Sequence, residues 1–166
     1  MPLNEEERAI LEELAGDRVA YLRALVRIPN KNRESVPFDL WPTQERILRG
    51  LTGRDIILKD SQCGSTSAIS GDMLVDTITN PNTTTIIMAH KEFTTQRLLE
   101  RVQVMYNSIP AKVKPPMDHK SSYEKRFPDI NSVIYIVTAG ADVAGRGEPI
   151  HNLLCSEAAF YISGAR

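Results

Sequence analysis

The sequence predicts an α/β fold in which a mostly parallel sheet is flanked by helices. Apolar segments rich in β-branched residues alternate with segments of helical periodicity over residues 55–155. Such alternation is typical of parallel strands joined by crossover helices. The chain has 166 residues, enough for one domain with its own core, and its 42% hydrophobic and 25% charged residues are typical of a globular protein.

The first 35 residues predict a helical segment that precedes the sheet. Apolar residues recur at helical spacing on both sides of Gly16, which indicates two short helices between residues 4 and 28. Residues 5–17 carry six acidic side chains and one arginine, a net charge of −5 that is typical of a solvated helix face. A polar run then ends the periodicity. We therefore expect an N-terminal helical segment at 1–35 and a second unit at 36–166.

The second unit contains the alternating elements. In chain order the patterns predict a helix beginning at Pro42, a strand at 55–59, a helix at 66–79, a strand at 83–89, a helix at 92–109, an exposed loop at 110–122, two strands at 123–127 and 132–138, and a strand at 150–155. The chain stops nine residues after Glu157, with no closing helix. We therefore expect a sheet domain that is truncated before completion.

Charge and cysteine content exclude several classes of protein. The net charge of −1 excludes a uniformly basic nucleic-acid binder, although residues 91–126 carry eight basic and four acidic side chains. That local charge of +4 indicates either a salt-sensitive DNA contact or a hydrated lysine loop. The two cysteines match no zinc spacing and no disulfide framework. The acidic start is unlike a signal peptide, and no apolar stretch is long enough to span a membrane, so we expect a cytoplasmic protein.

A candidate phosphate site lies between the predicted strand at 55–59 and the helix that starts near Thr66. The loop reads KDSQCGST over residues 59–66. At such a position backbone N–H groups and the positive end of a helix dipole converge, a lysine supplies charge, and a hydroxyl can hold Mg2+. The loop has one glycine, Gly64, and Lys59 precedes it, so it differs from the usual G-x-x-x-x-G-K-[ST] pattern. An ordinary strand-to-helix connection is the alternative interpretation.

Three further residues could complete such a site. Glu157 follows the last predicted strand, and the carboxyl ends of parallel strands line the crevice where ligands bind, so it could face the loop and activate water. Arg146 lies between two glycines, where a guanidinium can reach a phosphate of its own or a neighbouring subunit. Gln44 carries an amide that can read the edge of adenine. Each also has a simpler interpretation as a solvated strand end, a surface turn or a solvated helix residue.

Taken in order, these segments resemble the N-terminal ATPase region of the large terminase subunit of tailed bacteriophages. The matching segments are 38–44 (FDLWPTQ), 59–66 (KDSQCGST), 86–90 (IIMAH), 144–147 (AGRG) and 153–160 (LLCSEAAF), which together extend over about three quarters of the chain. The resemblance implies a phosphate-loop NTPase-like fold that binds ATP and Mg2+. It also implies that ATP hydrolysis drives viral double-stranded DNA into a procapsid, in the cytoplasm of the host cell.

The resemblance implies a role for each candidate residue. Those expected to bind the nucleotide are Gln44, Lys59, Gln62, Cys63, Gly64, Ser65 and Thr66. Those expected on the metal side are Thr66 and Ser156, and the catalytic set is Glu157, Lys59 and Arg146, the last acting across a subunit boundary. Two positions depart from the family pattern, because Ser61 takes the place of an arginine and Ser156 that of the Walker B aspartate. The metal is then held through water or by Thr66 alone.

The partners implied by the resemblance are double-stranded DNA, the portal protein, the small terminase subunit and further copies of the chain in a homo-oligomeric ring, with no membrane. Large terminase subunits continue with a coupling motif and a nuclease domain. We therefore expect a shortened or cleaved piece that is slow or inactive alone. Two alternatives stay open. A superfamily-2-type helicase motor shares the upstream glutamine but carries a GKT loop and a DExH box. The other alternative is a non-catalytic interaction module, either a degenerate nucleotide fold or the acidic N-terminal helices as the docking element for a partner. The serines at positions 61 and 156 support it.

Overall fold

The computed structural model describes residues 4–59, 63–121, 123–140, 147 and 149–161, and for 119–121 it describes the backbone alone. The helices are α1 (Glu5–Gly16), α2 (Arg18–Leu25), α3 (Pro42–Arg49), α4 (Ser65–Thr79) and α5 (Glu92–Ser108). The strands are β1 (Arg27–Pro29), β2 (Ser35–Pro37), β3 (Thr84–Ala89), β4 (Asp118–Ser121), β5 (Glu124–Phe127), β6 (Ser132–Thr138) and β7 (Asn152–Cys155).

Two side-chain caps produce the predicted break between the first helices. Asn4 accepts a hydrogen bond from the backbone N–H of Glu7 (2.7 Å), whose carboxylate accepts one from the Asn4 N–H (3.0 Å), so α1 starts with a capping box. The Asp17 carboxylate accepts from the N–H groups at positions 19 and 20 and thereby starts α2. The predicted pair of helices is confirmed. Within the described part of the chain, no helix is both long and apolar enough to cross a membrane.

The main sheet has the strand order β4-β5-β6-β3-β7. β3 pairs in parallel with both β6 and β7, whereas β5 pairs antiparallel with β4 and β6. The predicted α/β class is confirmed, and the sheet is mixed. The antiparallel part arises because β5 and β6 are joined by the short turn Pro128–Ile130, and so close a connection can only produce a hairpin. β1 and β2 form a separate antiparallel pair.

The strand predicted at 55–59 is wrong. The segment lies outside the sheet, and the side chains of Ile56 and Leu58 are fully exposed. Its short apolar run matches a strand pattern, but a strand forms only where a neighbouring strand pairs with it, and among the described residues β7 pairs with β3 alone. The loop predicted at 110–122 contains the edge strand β4, whose polar sequence carries no strand signal. Pairing with β5 creates that strand.

The core lies between the helices and one face of the sheet. Ile87 of β3 and Ile136 of β6 are completely buried against residues of α2, α4 and α5, among them Leu22, Leu74 and Met105. The alternate residues of these two strands form a smaller cluster on the opposite face. This packing places the amino end of α4 beside the carboxyl ends of the parallel strands, where ligands bind in α/β sheets.

Candidate functional site

A cleft of about 640 Å3 lies at the carboxyl end of β7. Its walls are the segment 55–59, the first turn of α4, β7 itself and the turn that follows β7. Five of the residues singled out from the sequence line it, namely Lys59, Ser65, Thr66, Ser156 and Glu157. The structure therefore brings together side chains that are almost one hundred positions apart in the chain.

The amino end of α4 has the geometry of an anion site. Its N-cap is Gly64, which adopts a left-handed conformation with φ of 70° and provides no side-chain cap. The first N–H groups of a helix have no partner within the helix, and they lie at the positive end of its dipole. Ser65 is the first residue of the helix and is buried. A phosphate group fits this position because it accepts hydrogen bonds and carries negative charge.

The thiol of Cys63 shows that the same loop favours negative charge. Its Sγ lies 3.4 Å from the hydroxyl oxygen of Ser65. Hydrogen bonding to the Ser65 side chain, and then to its backbone N–H, lowers the pKa of the Cys63 thiol, and the positive charge of Lys59 acts in the same direction. The loop therefore stabilises a negative charge at position 63.

Gln44 lies beside the loop, with both ends of its amide in contact with the protein. Its Oε1 accepts a hydrogen bond from the backbone N–H of Trp41 (3.0 Å), and its Nε2 donates one to the carbonyl of Cys63 (3.3 Å). The side chain is buried, and a Cβ at Gly64 would lie only 2.4 Å from its Nε2. Gln44 thus ties the start of α3 to the loop, and its contact with adenine stays a prediction.

Two hydroxyl groups meet where a metal-bound phosphate would lie. The Oγ1 of Thr66 is 3.5 Å from the Oγ of Ser156, which is buried directly after β7. Hydroxyl oxygens suit Mg2+, but both groups are neutral, and Mg2+ is usually held by carboxylates together with substrate phosphates. Nowhere in the described ranges do three His, Cys, Asp or Glu side chains form a metal cluster. The pair therefore fits Mg2+ that arrives on a nucleotide better than a resident ion.

Glu157 adopts an unusual backbone conformation beside a histidine. Its φ of 59° and ψ of 42° are left-handed, which costs a non-glycine residue about 1–2 kcal/mol. Its Oε2 lies 2.9 Å from the Nδ1 of His90, the residue after β3. Residue type and spacing alone give His90 no role, although its position directly after a buried strand is the signal that points to it.

Gln62 and Arg146 lie outside the described residues. Most of the basic side chains in 91–126 make contacts within the chain or are buried. Lys114 donates to the carbonyl of residue 106 (2.7 Å), Lys125 is buried, and Arg126 contacts the side chains of residues 124 and 135.

Two acidic side chains of α4, away from the cleft, have a structural role. Arg18 of α2 bridges Asp72 (3.0 Å) and Asp76 (2.6 Å) of α4, and Asn152 donates to the Asp76 carboxylate. Burial raises the pKa of Asp72, and Arg18 opposes that effect. These contacts hold α2 and β7 against α4.

No protein-family model matches the chain, and no curated protein matches its sequence. The geometry of the cleft and the resemblance in the sequence are therefore the basis for a functional proposal.

Proposed function

We propose that this chain is an ATPase unit that binds ATP with Mg2+ in the cleft between α4 and β7 and hydrolyses the terminal phosphate. The proposal depends mainly on one observation. The Oγ1 of Thr66 lies 3.5 Å from the Oγ of Ser156, at the start of α4, which has no side-chain cap, and the Glu157 carboxylate lines the same cleft. A strand end, a helix start and a water-activating carboxylate are the parts that phosphoryl transfer requires.

In this proposal each group has a separate task. The N–H groups at the start of α4 and the Lys59 ammonium hold the phosphate oxygens. Thr66 and Ser156 face the nucleotide-bound Mg2+, which supplies charge neutralisation of the phosphates. Glu157 orients the attacking water and accepts its proton. Phosphoryl transfer needs mainly such positioning and charge stabilisation, so few side chains suffice.

The biological setting follows from the resemblance to large terminase subunits. The ATPase unit would work in a ring of identical subunits on the portal protein, with the small terminase subunit and double-stranded DNA as partners, in the cytoplasm of the host cell. Arg146 of a neighbouring subunit would complete each site. Because the isolated chain has no neighbouring subunit, we expect it to bind MgATP normally and to hydrolyse it slowly.

The test is titration of MgATP against the wild type and Lys59→Ala. Thermal stability and the fluorescence of Trp41, the single tryptophan of the chain, report binding, and phosphate release reports hydrolysis. At 100 times the Kd, a ligand stabilises the folded state by about 2.7 kcal/mol. We expect this stabilisation in the wild type and its loss in Lys59→Ala. The exposed Lys31, remote from the cleft in sequence and absent from its lining, provides the matched control Lys31→Ala.

The outcome separates the candidate functions. Stabilisation of the wild type and of Lys31→Ala, but not of Lys59→Ala, supports the ATPase. Absence of stabilisation in all three at millimolar MgATP rejects nucleotide binding by this chain. The non-catalytic interaction module is then the better proposal. Hydrolysis that single-stranded nucleic acid stimulates favours a helicase motor over a packaging motor.

A further inference from the structure

The carboxyl ends of β3 and β7 place one histidine against one glutamate. The strands are parallel neighbours in which Met88 pairs with Cys155, so the residues two positions further on leave the sheet side by side. These residues are His90 and Glu157, and the Nδ1 of the first lies 2.9 Å from the Oε2 of the second.

The turn after β7 holds this pair in place. The Tyr161 hydroxyl lies 2.8 Å from the carbonyl oxygen of Met88 in β3 and 2.9 Å from that of Ser156, directly after β7. It can donate to either carbonyl and so links the ends of the two strands. The Phe160 ring packs against the imidazole of His90 at 5.2 Å between centroids. The left-handed backbone at Glu157 folds the turn back into this position.

The imidazole nitrogen is available to a carboxylate. The Nδ1 of His90 is buried and makes no aligned hydrogen bond within the described residues. The side chain of Glu157 is 41% exposed and lines the cleft, and the oxygen in contact with the imidazole is Oε2. A small rotation of the carboxylate converts this approach into an N–H···O bond and leaves the other oxygen for a water molecule. Catalytic contacts are commonly loose in this way before substrate binds.

We propose that His90 is a positioning residue for Glu157: it donates from Nδ1 to one carboxylate oxygen and orients the other toward the attacking water. The inference rests on the proposed ATPase function. Positioning partners of this kind typically change activity by about 10- to 100-fold. Loss of the nitrogen should therefore lower kcat by about that factor and leave the KM for MgATP unchanged, because His90 is not among the residues that line the cleft and no hydrogen bond or ion pair joins it to the described residues of the loop.

Two substitutions separate positioning from packing. His90→Phe keeps an aromatic ring against Phe160 but removes the nitrogen, whereas His90→Asn keeps a donor near the place of Nδ1 but removes the ring. Positioning predicts that kcat falls in His90→Phe and is largely restored in His90→Asn. A role in packing predicts the reverse order. Steady-state hydrolysis of MgATP gives kcat and KM, single-turnover hydrolysis isolates the chemical step, and Trp41 fluorescence measures binding in each variant.

Nitrogen NMR of the imidazole provides a readout that is independent of hydrolysis. The chain has three histidines, and His151 is an internal reference, because its Nδ1 accepts from the backbone N–H of Thr84 (3.0 Å) and carries no proton. We expect His90 to show a protonated Nδ1 in the wild type and to lose that signature in Glu157→Ala. The same His90 spectrum in both proteins overturns the inference.

The outcomes distinguish this inference from the proposed function. If the wild type binds and hydrolyses MgATP and both His90 variants have the same kcat as the wild type, the positioning role alone is refuted. Wild type that does not bind MgATP refutes the proposed function and the inference together. Where the wild type binds MgATP but does not hydrolyse it without a neighbouring subunit, the imidazole spectrum decides: loss of the protonated Nδ1 in Glu157→Ala supports the contact between His90 and Glu157, and an unchanged spectrum refutes it.

Discussion

Substitution of Gly64 by alanine tests the contact between α3 and the loop. The backbone there has φ of 70°, which costs an alanine about 1–2 kcal/mol. The new Cβ would also lie 2.4 Å from the Nε2 of Gln44, whose buried amide must move and lose its hydrogen bond to Cys63, at a cost of about 1 kcal/mol. Alanine reduces the entropy of the unfolded chain, which returns about 0.5 kcal/mol. We expect Gly64→Ala to lower the free energy of unfolding by about 2 kcal/mol.

A second glycine separates the two costs. Gly140 also has a positive φ, of 83°, but a Cβ there meets no atom of the described residues within 4 Å, so Gly140→Ala should cost only about 1 kcal/mol. Urea unfolding measures both variants. Adding Gln44→Ala to Gly64→Ala removes the steric conflict, so the double substitution should cost about 1 kcal/mol less than the sum of the single ones.

The same variants report on the candidate site. Displacement of Gln44 shifts the carbonyl of Cys63 and with it the start of α4, so Gly64→Ala should weaken binding of MgATP, as followed by Trp41 fluorescence. Gly140→Ala should bind as the wild type does. Equal unfolding free energies for Gly64→Ala and Gly140→Ala, together with additive behaviour of Gln44→Ala, would refute the argument.

Three other predictions follow from the structure. Because the pKa of the Cys63 thiol is lowered, iodoacetamide should modify Cys63 near neutral pH faster than the exposed Cys155. Bound MgATP should protect Cys63 from this reaction. Equal modification rates for the two thiols would contradict the electrostatic description of the loop. Burial raises the pKa of Tyr21 to about 12, so the unfolded state ionises first and about 2–3 kcal/mol of stability should be lost as the pH rises from about 10 to 12, seen by urea unfolding at each pH. Ile56→Ser and Leu58→Ser should each change the free energy of unfolding by less than about 0.5 kcal/mol, since both side chains are exposed. A larger loss would show that these side chains are buried, as the predicted strand at 55–59 requires.

Elements with strong local patterns were predictable from the sequence. α4 and α5 follow from helical periodicity, and β3 and β6 from runs of β-branched residues, because local propensity and burial favour the same structure there. The segment 55–59 carries an equally strong pattern and forms no strand. The reason is that a strand depends on hydrogen bonds to a neighbour, which residue order alone does not supply.

The candidate site also contains residues that the sequence could predict and contacts that it could not. The loop with Gly64, the hydroxyl of Thr66 and the carboxylate of Glu157 could be chosen from residue type and position, because the chemistry of phosphate binding restricts which residues can serve. The contact of Gln44 with the loop and that of His90 with Glu157 could not, since each joins residues from separate elements. Local chemistry and periodicity can be read along the chain, whereas pairs such as His90 and Glu157 exist only because β3 and β7 pair in parallel and end at the same edge.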